Sequence, residues 1–152
     1  MLMDRVLVGV DGCREGWIVA IEDGRELKAR VFSSWRALIA GLPKTVFVGV
    51  DIPIGLPQGG SRQCDLAARK LLGQPRGSSV FPAPVRGVLR SGNYRELSKL
   101  HQEIDGRKLT QQAFRLLPKI AQVDAYLVED LSRQAVLVEV HPEVSFSIWN
   151  GG

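Results

Sequence analysis

The tripeptide Gly-Val-Asp occurs twice, at residues 9–11 and 49–51, and each copy closes a short apolar run. If the two runs form neighbouring parallel strands, ~4.8 Å apart, the carboxylates of Asp11 and Asp51 emerge at the same edge of the sheet. Oxygen atoms are the ligands that Mg²⁺ prefers, and a pair of such ions can support phosphodiester hydrolysis. The spacing therefore predicts a divalent metal site that includes both aspartates. The alternative for either one alone is a turn-forming or helix-capping role.

A further acidic residue, Glu139, lies within the apolar segment 135–140, where an unpaired carboxylate would be costly. A nearby cation or basic side chain would remove that cost. His141 follows two positions later and on an extended strand would point the same way, and Glu143 comes next. We expect His141 or Glu143 to assist the attacking water or the outer shell of the metal. A hydrogen-bonded structural role is the alternative for His141.

Basic and hydroxyl side chains follow in the middle of the chain. Arg62, Asp65 and Arg69 share one face of a predicted helix, and the fork of an Arg side chain suits phosphate oxygens. The alternative is an exposed, salt-bridged face. The loop over residues 76–86 and the long helix after it add the remaining candidates for substrate contact, which are Ser78, Ser79, Arg86 and Lys119.

The apolar pattern predicts five strands. The first three form an antiparallel meander whose turns are marked by Asp11-Gly12 and Asp23-Gly24, and whose last strand alternates as a half-exposed edge. The fourth strand follows a helix and is expected to lie parallel to the first. This is the opening topology of the ribonuclease H-like fold. The strands are predicted over residues 5–10, 17–21, 27–32, 46–50 and 135–140.

Four helices are predicted between and after these strands. Ser34 caps the first, which Pro43 ends, and Ser61 caps the second, with Gly73 just past its end. Residues 74–93 contain three prolines and three glycines and are expected to form a loop. The last two helices are predicted over residues 94–105 and 111–131, the second kinked at Pro118.

The 152 residues suit one domain, 1–152, with a helical and loop insertion at about 58–133. The net charge of +4 is unevenly spread, because residues 60–119 carry 12 basic and 4 acidic side chains. A basic middle beside an acidic site is what a phosphate-rich substrate requires, although a solvated basic face is equally compatible. The chain has no apolar run near the ~20 residues of a membrane span and no signal-peptide pattern, so we expect a cytoplasmic protein.

Taken together, these motifs resemble the prokaryotic family called domain of unknown function 429, whose members are described as predicted ribonuclease H-like nucleases. The resemblance implies a mixed five-stranded α/β sheet flanked by helices, metal ligands at Asp11, Asp51 and Glu139, and Mg²⁺ or Mn²⁺ as cofactor. The motifs come in the order of the family and cover nearly the whole chain. They are Val8–Arg14, Gly16-Trp17, Asp51–Pro57, Arg62, Cys64-Asp65, Ala68-Arg69, Ser78–Pro82, Gln111, Pro118–Ile120, Val123-Asp124, Glu139–Glu143 and Phe146.

Two departures from the family pattern stand out. Glu15 occupies a position where a small residue is common, and the chain stops at Gly152, shortly after the fifth strand. Ribonuclease H-like nucleases commonly draw a last acidic ligand from a C-terminal helix, and we expect that helix to be missing here. Its absence would leave part of the sheet uncovered and favour a homo-oligomer through that face.

The leading hypothesis is a Mg²⁺- or Mn²⁺-dependent nuclease with a nucleic-acid partner. One alternative is a non-catalytic module that keeps the fold and binds nucleic acid or protein. The other is an ATP-using phosphotransferase of the actin and sugar-kinase type, whose phosphate loop also begins with Asp-Gly after the first strand. Against it, Arg14 and Glu15 are bulky for such a loop, and the length leaves no room for a second lobe. The sequence leaves open whether DNA or RNA is bound.

Overall fold

The computed structural model describes residues 6–22, 24, 26–44 and 46–151. Arg5, at the start of the first predicted strand, and Asp23, in the second predicted turn, lie outside the described residues. The chain divides into two compact units, which are treated separately below. The sheet unit comprises residues 1–54 and 122–140, and the helical unit comprises residues 55–121 and 141–152.

The sheet unit contains a mixed five-stranded sheet in the order β3-β2-β1-β4-β5. Antiparallel pairing joins β1 to β2 and β2 to β3, and parallel pairing joins β1 to β4 and β4 to β5. The predicted meander, the edge position of β3 and the parallel fourth strand are confirmed, but β3 is exposed at every residue except the half-buried Phe32, so the predicted half-exposed alternation is wrong. The strands are β1 (Val6–Cys13), β2 (Gly16–Glu22), β3 (Leu27–Phe32), β4 (Val46–Val50) and β5 (Leu137–Glu139).

The helices are α1 (Trp35–Gly41), α2 (Gln63–Leu72), α3 (Tyr94–Asp105), α4 (Gln111–Glu129) and α5 (Pro142–Trp149). Residues of α4 up to Ala121 belong to the helical unit, and those from Gln122 belong to the sheet unit. Among the described residues, no helix has both the length and the apolar character needed to cross a membrane.

The first turn lies elsewhere than predicted. Asp11 and Gly12 stay in β1, paired with Ile18 and Trp17, and β1 ends only at Cys13. The turn falls at residues 14–15, because Gly16 supplies the unusual backbone geometry. Its φ is +135°, and a Cβ atom there would lie 2.2 Å from the carbonyl oxygen of Phe32, so only glycine fits. The expectation of an Asp11-Gly12 turn is therefore wrong.

The two faces of the sheet differ in burial. On the covered face, Val8, Val10, Val48 and Val50 are buried. Helix α1 packs near β2 and β3, and its N-cap Ser34 accepts a hydrogen bond from the Ala37 N–H, as the sequence predicts. The other face is open and apolar in the described chain, and its exposed fractions are 48% for Leu7, 42% for Ile18, 73% for Leu27 and 55% for Val31.

The helical unit has its own apolar core, formed by residues of α3, α4 and the preceding loop. Helix α3 has the predicted bounds because Asn93 and Glu96 form a capping box and Gly106 ends it in the left-handed conformation. The predicted loop 74–93 contains two short 3₁₀ helices, Arg76–Ser79 and Arg86–Val88. The core residues are Val85, Val88, Leu97, Leu109, Ala113 and Leu117.

The end of the chain differs from expectation. The fifth strand is shorter than predicted because residues 131–135 form a 3₁₀ helix before it. Directly after β5, α5 begins with Pro142 at its first position and packs against α2. The expectation that no helix follows the fifth strand is thus corrected: a helix of eight residues is present, with Glu143 in its first turn.

Candidate functional site

Asp11 and Asp51 occupy adjacent positions on neighbouring parallel strands. Val10 pairs with Val50, and the Asp51 N–H donates to the Val10 carbonyl oxygen at 3.0 Å. Each aspartate is the next residue after that pair, so the two backbones lie one strand spacing apart, ~4.8 Å. The structure therefore brings together the two residues on which the predicted metal site depends.

The environment of Asp11 leaves its charge open to solvent. The side chain is exposed and shares the open face with its cross-strand partner Ile18. Its Oδ1 atom accepts the Gly12 N–H at 2.6 Å, which fixes the orientation of the carboxylate. Within the described part of the chain, no basic side chain forms an ion pair with it. Asp51 is half-buried and lies at the bend just past β4.

Glu139 occupies a different position. It pairs with Val50, a fully buried residue, so the register assigns it to the covered face rather than to the face of Asp11. Its Oε2 atom accepts the Ile54 N–H at 2.8 Å. The loop after Asp51 thus supplies a hydrogen bond to Glu139. The sequence did not predict this contact, because the donor is a backbone N–H, and the residue type does not show which backbone N–H groups donate to a side chain.

The donor set fits a cation held by few protein ligands. No group of three or more His, Cys, Asp or Glu side chains suited to a metal occurs among the described residues. Mg²⁺, however, is commonly bound through one or two carboxylates, with waters and substrate phosphates completing its shell. Asp11 and Asp51, whose backbones are adjacent, supply two carboxylates of this type. Glu139 lies on the covered face, and it does not form a three-carboxylate cluster with Asp11 and Asp51 in the described structure.

His141 and Glu143 belong to the helical unit, at the start of α5. Glu143 Oε2 lies 3.1 Å from His141 Nδ1, which is an ion-pair distance if the imidazole is protonated. The angles at this contact do not meet those of a hydrogen bond, so the buried Nδ1 has no hydrogen-bond partner in the described region. The two residues that the sequence singled out are therefore neighbours in space.

Two of the predicted phosphate contacts stabilise the helical unit internally. Arg62 donates from Nε and Nη2 to the two carboxylate oxygens of Asp65, at 3.0 and 2.5 Å, and both side chains are 8% exposed. Arg69 donates from Nε and Nη2 to the Val80 carbonyl oxygen at 2.8 and 2.6 Å. The shared helix face of Arg62, Asp65 and Arg69 thus consists of a buried ion pair and of an arginine that binds the backbone of the following loop at Val80.

The other predicted substrate contacts lie in the helical unit. Ser78 donates from its hydroxyl to the Pro75 carbonyl oxygen at 2.7 Å, and Ser79 is exposed. Arg86 is half-buried, and its backbone N–H donates to the Pro57 carbonyl oxygen at 2.8 Å. Lys119 is half-buried on α4. By sequence, the helical unit carries 12 basic and 5 acidic side chains, a net charge of +7, against −3 for the sheet unit.

Fold and site together define an α/β protein with a mixed five-stranded sheet and an acidic pair just past the last paired residues of the adjacent parallel strands β1 and β4. The family model for a protein of unknown function, DUF429, matches residues 9–152, and the chain belongs to that family. No curated protein and no solved structure matches it.

Proposed function

We propose that this protein is a ribonuclease H-like nuclease that uses Mg²⁺ or Mn²⁺ to hydrolyse phosphodiester bonds in nucleic acid. The observation that supports this most directly is the parallel register of Val10 with Val50, which makes Asp11 and Asp51 neighbours. An exposed aspartate and a half-buried one, each just past the last pair of the parallel β1–β4 ladder, are suited to a cation that also binds a substrate.

In this proposal, Asp11 and Asp51 hold the cation. When bound, a divalent ion would activate a water molecule and stabilise the leaving oxygen. The Gly12 N–H orients the Asp11 carboxylate, and the Ile54 N–H orients that of Glu139. Because both donors are backbone N–H groups, the carboxylates of Asp11 and Glu139 are oriented whether or not the ion is bound.

A nucleic-acid partner is supported by charge. The net +7 of the helical unit favours a polyanion, and binding through phosphates would weaken steeply as salt is raised. Arg62 and Arg69 are engaged within the fold, so the exposed Ser79 is a better candidate than either for contact with the substrate, and Arg86 and Lys119 stay candidates by their charge. A nuclease of this kind would act in the cytoplasm, which is the location we propose.

The test is a cleavage assay with single- and double-stranded DNA and RNA, with Mg²⁺, with Mn²⁺ and with EDTA. We expect metal-dependent cleavage that Asp11→Asn and Asp51→Asn each reduce at least 100-fold, on the order of 3 kcal/mol of barrier. Glu22→Gln is the matched control. Glu22 is an exposed carboxylate opposite Leu7, four register positions or ~13 Å from Asp11, and its loss should leave cleavage unchanged.

Other outcomes would favour the alternatives. Binding of nucleic acid without cleavage, equal in the wild type and both Asn variants, would contradict the nuclease and favour a binding module. Stabilisation by ATP would favour a phosphotransferase. Against that class, Asp11 and Gly12 are paired in β1 rather than forming a phosphate loop.

The open face of the sheet suggests a homo-oligomer. Leu7, Ile18, Leu27 and Val31 form an apolar surface whose burial would favour association with a second copy. Sedimentation of the wild type over a range of concentrations should show a dimer that Leu27→Lys, a substitution on the edge strand β3, dissociates. A wild type that stays monomeric at the highest concentration would contradict this part of the proposal.

A further inference from the structure

A pocket of about 470 Å³ lies entirely within the helical unit. It is lined by residues from the segment 89–97, which leads into α3, and from the segment 114–121 of α4. Its volume is within the range of small-molecule sites, about 300–1,000 Å³. None of the described lining residues is a metal ligand or a substrate contact predicted from the sequence. The pocket is therefore a second place at which this protein is able to bind a ligand.

The floor of the pocket is apolar and belongs to the core of the helical unit. Leu97 and Leu117 line the pocket as buried core residues, and the half-buried Phe114 packs against the same core. The Phe114 ring meets the Tyr94 ring edge to face, with centroids 5.4 Å apart. The Tyr94 hydroxyl in turn donates to the Leu109 carbonyl oxygen at 2.9 Å. The floor is therefore fixed before any ligand binds, which lowers the cost of binding.

The charge beside this floor is positive. Arg90 and Arg115 both line the pocket, are exposed, and form no ion pair with a described residue. The two lining segments, 89–97 and 114–121, together carry four basic side chains and one acidic side chain. That acidic residue, Glu96, is engaged in the capping box of α3 and does not line the pocket. The balance of charge favours an anionic ligand.

An apolar floor beside two unpaired arginines suits a ligand that combines an aromatic ring with phosphate. The guanidinium fork matches the oxygen atoms of a phosphate group. Bases of a single strand pack against aromatic side chains beside a basic surface, and this arrangement is tolerant of sequence. In a duplex the bases are stacked and paired, so they enter a protein pocket only after they leave the stack.

We propose that this pocket binds one unpaired nucleotide of a nucleic-acid strand, with the base against Phe114 and Leu117 and the flanking phosphates against Arg90 and Arg115. This inference rests on the proposed function for the nature of the ligand, a nucleic acid, and does not require hydrolysis. It adds that the bound strand is single at this nucleotide.

The test measures the fluorescence anisotropy of labelled single strands with the full-length protein in EDTA, so that binding is separated from metal-dependent cleavage. The two probes are an oligoadenylate and an abasic strand that has the same sugar and the same number of phosphates. We expect the wild type to bind the oligoadenylate about tenfold more tightly, because a base packed against an aromatic side chain favours binding.

Arginine variants test the phosphate contacts. Arg90→Gln and Arg115→Gln should each weaken both strands about three- to tenfold and lower the slope of log affinity against log salt by about 1, as for one lost phosphate contact. Arg36→Gln is the matched control. Arg36 is an exposed arginine of α1, in the sheet unit, and its loss should change either affinity less than about twofold.

A variant that fills the pocket tests the base contact. Ala121 is half-buried and lines the pocket from α4, and leucine there keeps a high helix propensity. Ala121→Leu should weaken the oligoadenylate about tenfold, to the affinity of the abasic strand, and leave the abasic strand unchanged. If this variant does not fold, Ser91→Leu, at an exposed lining position, is used for the same comparison.

Three results would overturn the proposal: equal affinity of the wild type for the two strands, arginine variants no weaker than Arg36→Gln, or a filled pocket that weakens both strands alike. Adenosine monophosphate that competes at the concentration of the oligoadenylate would overturn the strand in favour of a free nucleotide. The expected binding pattern without cleavage would contradict the nuclease alone. Cleavage by a protein whose pocket variants bind as the wild type would contradict the pocket alone.

Discussion

Asp65 in the helical unit is buried and accepts both hydrogen bonds of the Arg62 fork, whereas Asp11 in the sheet unit is exposed and accepts the Gly12 N–H. The sequence predicts Asp11 as a metal ligand, and it places Asp65 on one helix face with Arg62 and Arg69, which could contact phosphates or form an exposed, salt-bridged face. The structure separates them by how their charge is balanced. A carboxylate neutralised within the fold contributes to stability, and one left open to solvent is able to bind a cation.

The largest effect is expected where the charge is buried. Asp65→Ala leaves the Arg62 guanidinium buried without its partner, and we expect a loss of about 3 kcal/mol in the free energy of unfolding. Urea denaturation followed by circular dichroism measures it. Glu103→Ala is the control, because Glu103 forms only an exposed pair with Lys99 at 3.8 Å and should cost below ~0.5 kcal/mol. Equal losses of unfolding free energy in the two variants would contradict the distinction between a buried and an exposed ion pair.

An intermediate effect is expected at Arg69. Arg69→Ala leaves the carbonyl of the buried Val80 without its donors, at a cost of about 1–3 kcal/mol, and releases the segment around residues 76–80. Denaturation together with limited proteolysis should show both changes. Arg76→Ala, an exposed arginine in the same segment, should show neither. A stable Arg69→Ala protein with weakened nucleic-acid binding would return Arg69 to the substrate-binding role that the sequence suggested.

A smaller effect is expected on acidification. The Arg107 side chain donates to Asp105 at 2.6 Å and, with the Gly60 N–H, holds the pKa of that carboxyl below its usual value of 3.8, although desolvation opposes this. A lowered pKa in the folded state stabilises the protein above about pH 4, and this contribution is lost as the pH falls through the folded pKa. Asp105→Asn should therefore lose less stability than the wild type between pH 6 and pH 3. Identical pH profiles in urea denaturation would contradict this assignment.

The sequence predicted the sheet well because its signals are local. Apolar runs defined the buried strands, and the helix between β3 and β4 required a parallel return. The bounds of α3 were predictable from Asn93 and Gly106, whose residue types directly determine a cap and a stop. The shift of the first turn shows the limit: Asp11-Gly12 has turn chemistry, but Gly16 is the residue whose Cβ would clash with Phe32.

The site was predictable only in part. The adjacency of Asp11 and Asp51 followed from strand order. Glu139 lies on the other face of the sheet because it pairs with Val50, and the register of so short a strand cannot be read from the sequence. The spacing of Arg62, Asp65 and Arg69 is the same for a phosphate-binding stripe and for a buried ion pair. Burial distinguishes the two, and it is a property of the folded chain.

The most direct test of the proposed cation site is paramagnetic broadening by Mn²⁺ in the ¹⁵N spectrum of the whole chain. Substoichiometric Mn²⁺ should broaden the amide resonances of Gly12 and Ile52, beside Asp11 and Asp51, and spare that of Gly24, beyond the far end of β2. Asp11→Asn should abolish the broadening and change stability by less than ~0.5 kcal/mol, and Glu22→Gln should leave the broadening intact. Broadening centred elsewhere, or unchanged in Asp11→Asn, would contradict the assignment of these two aspartates as metal ligands.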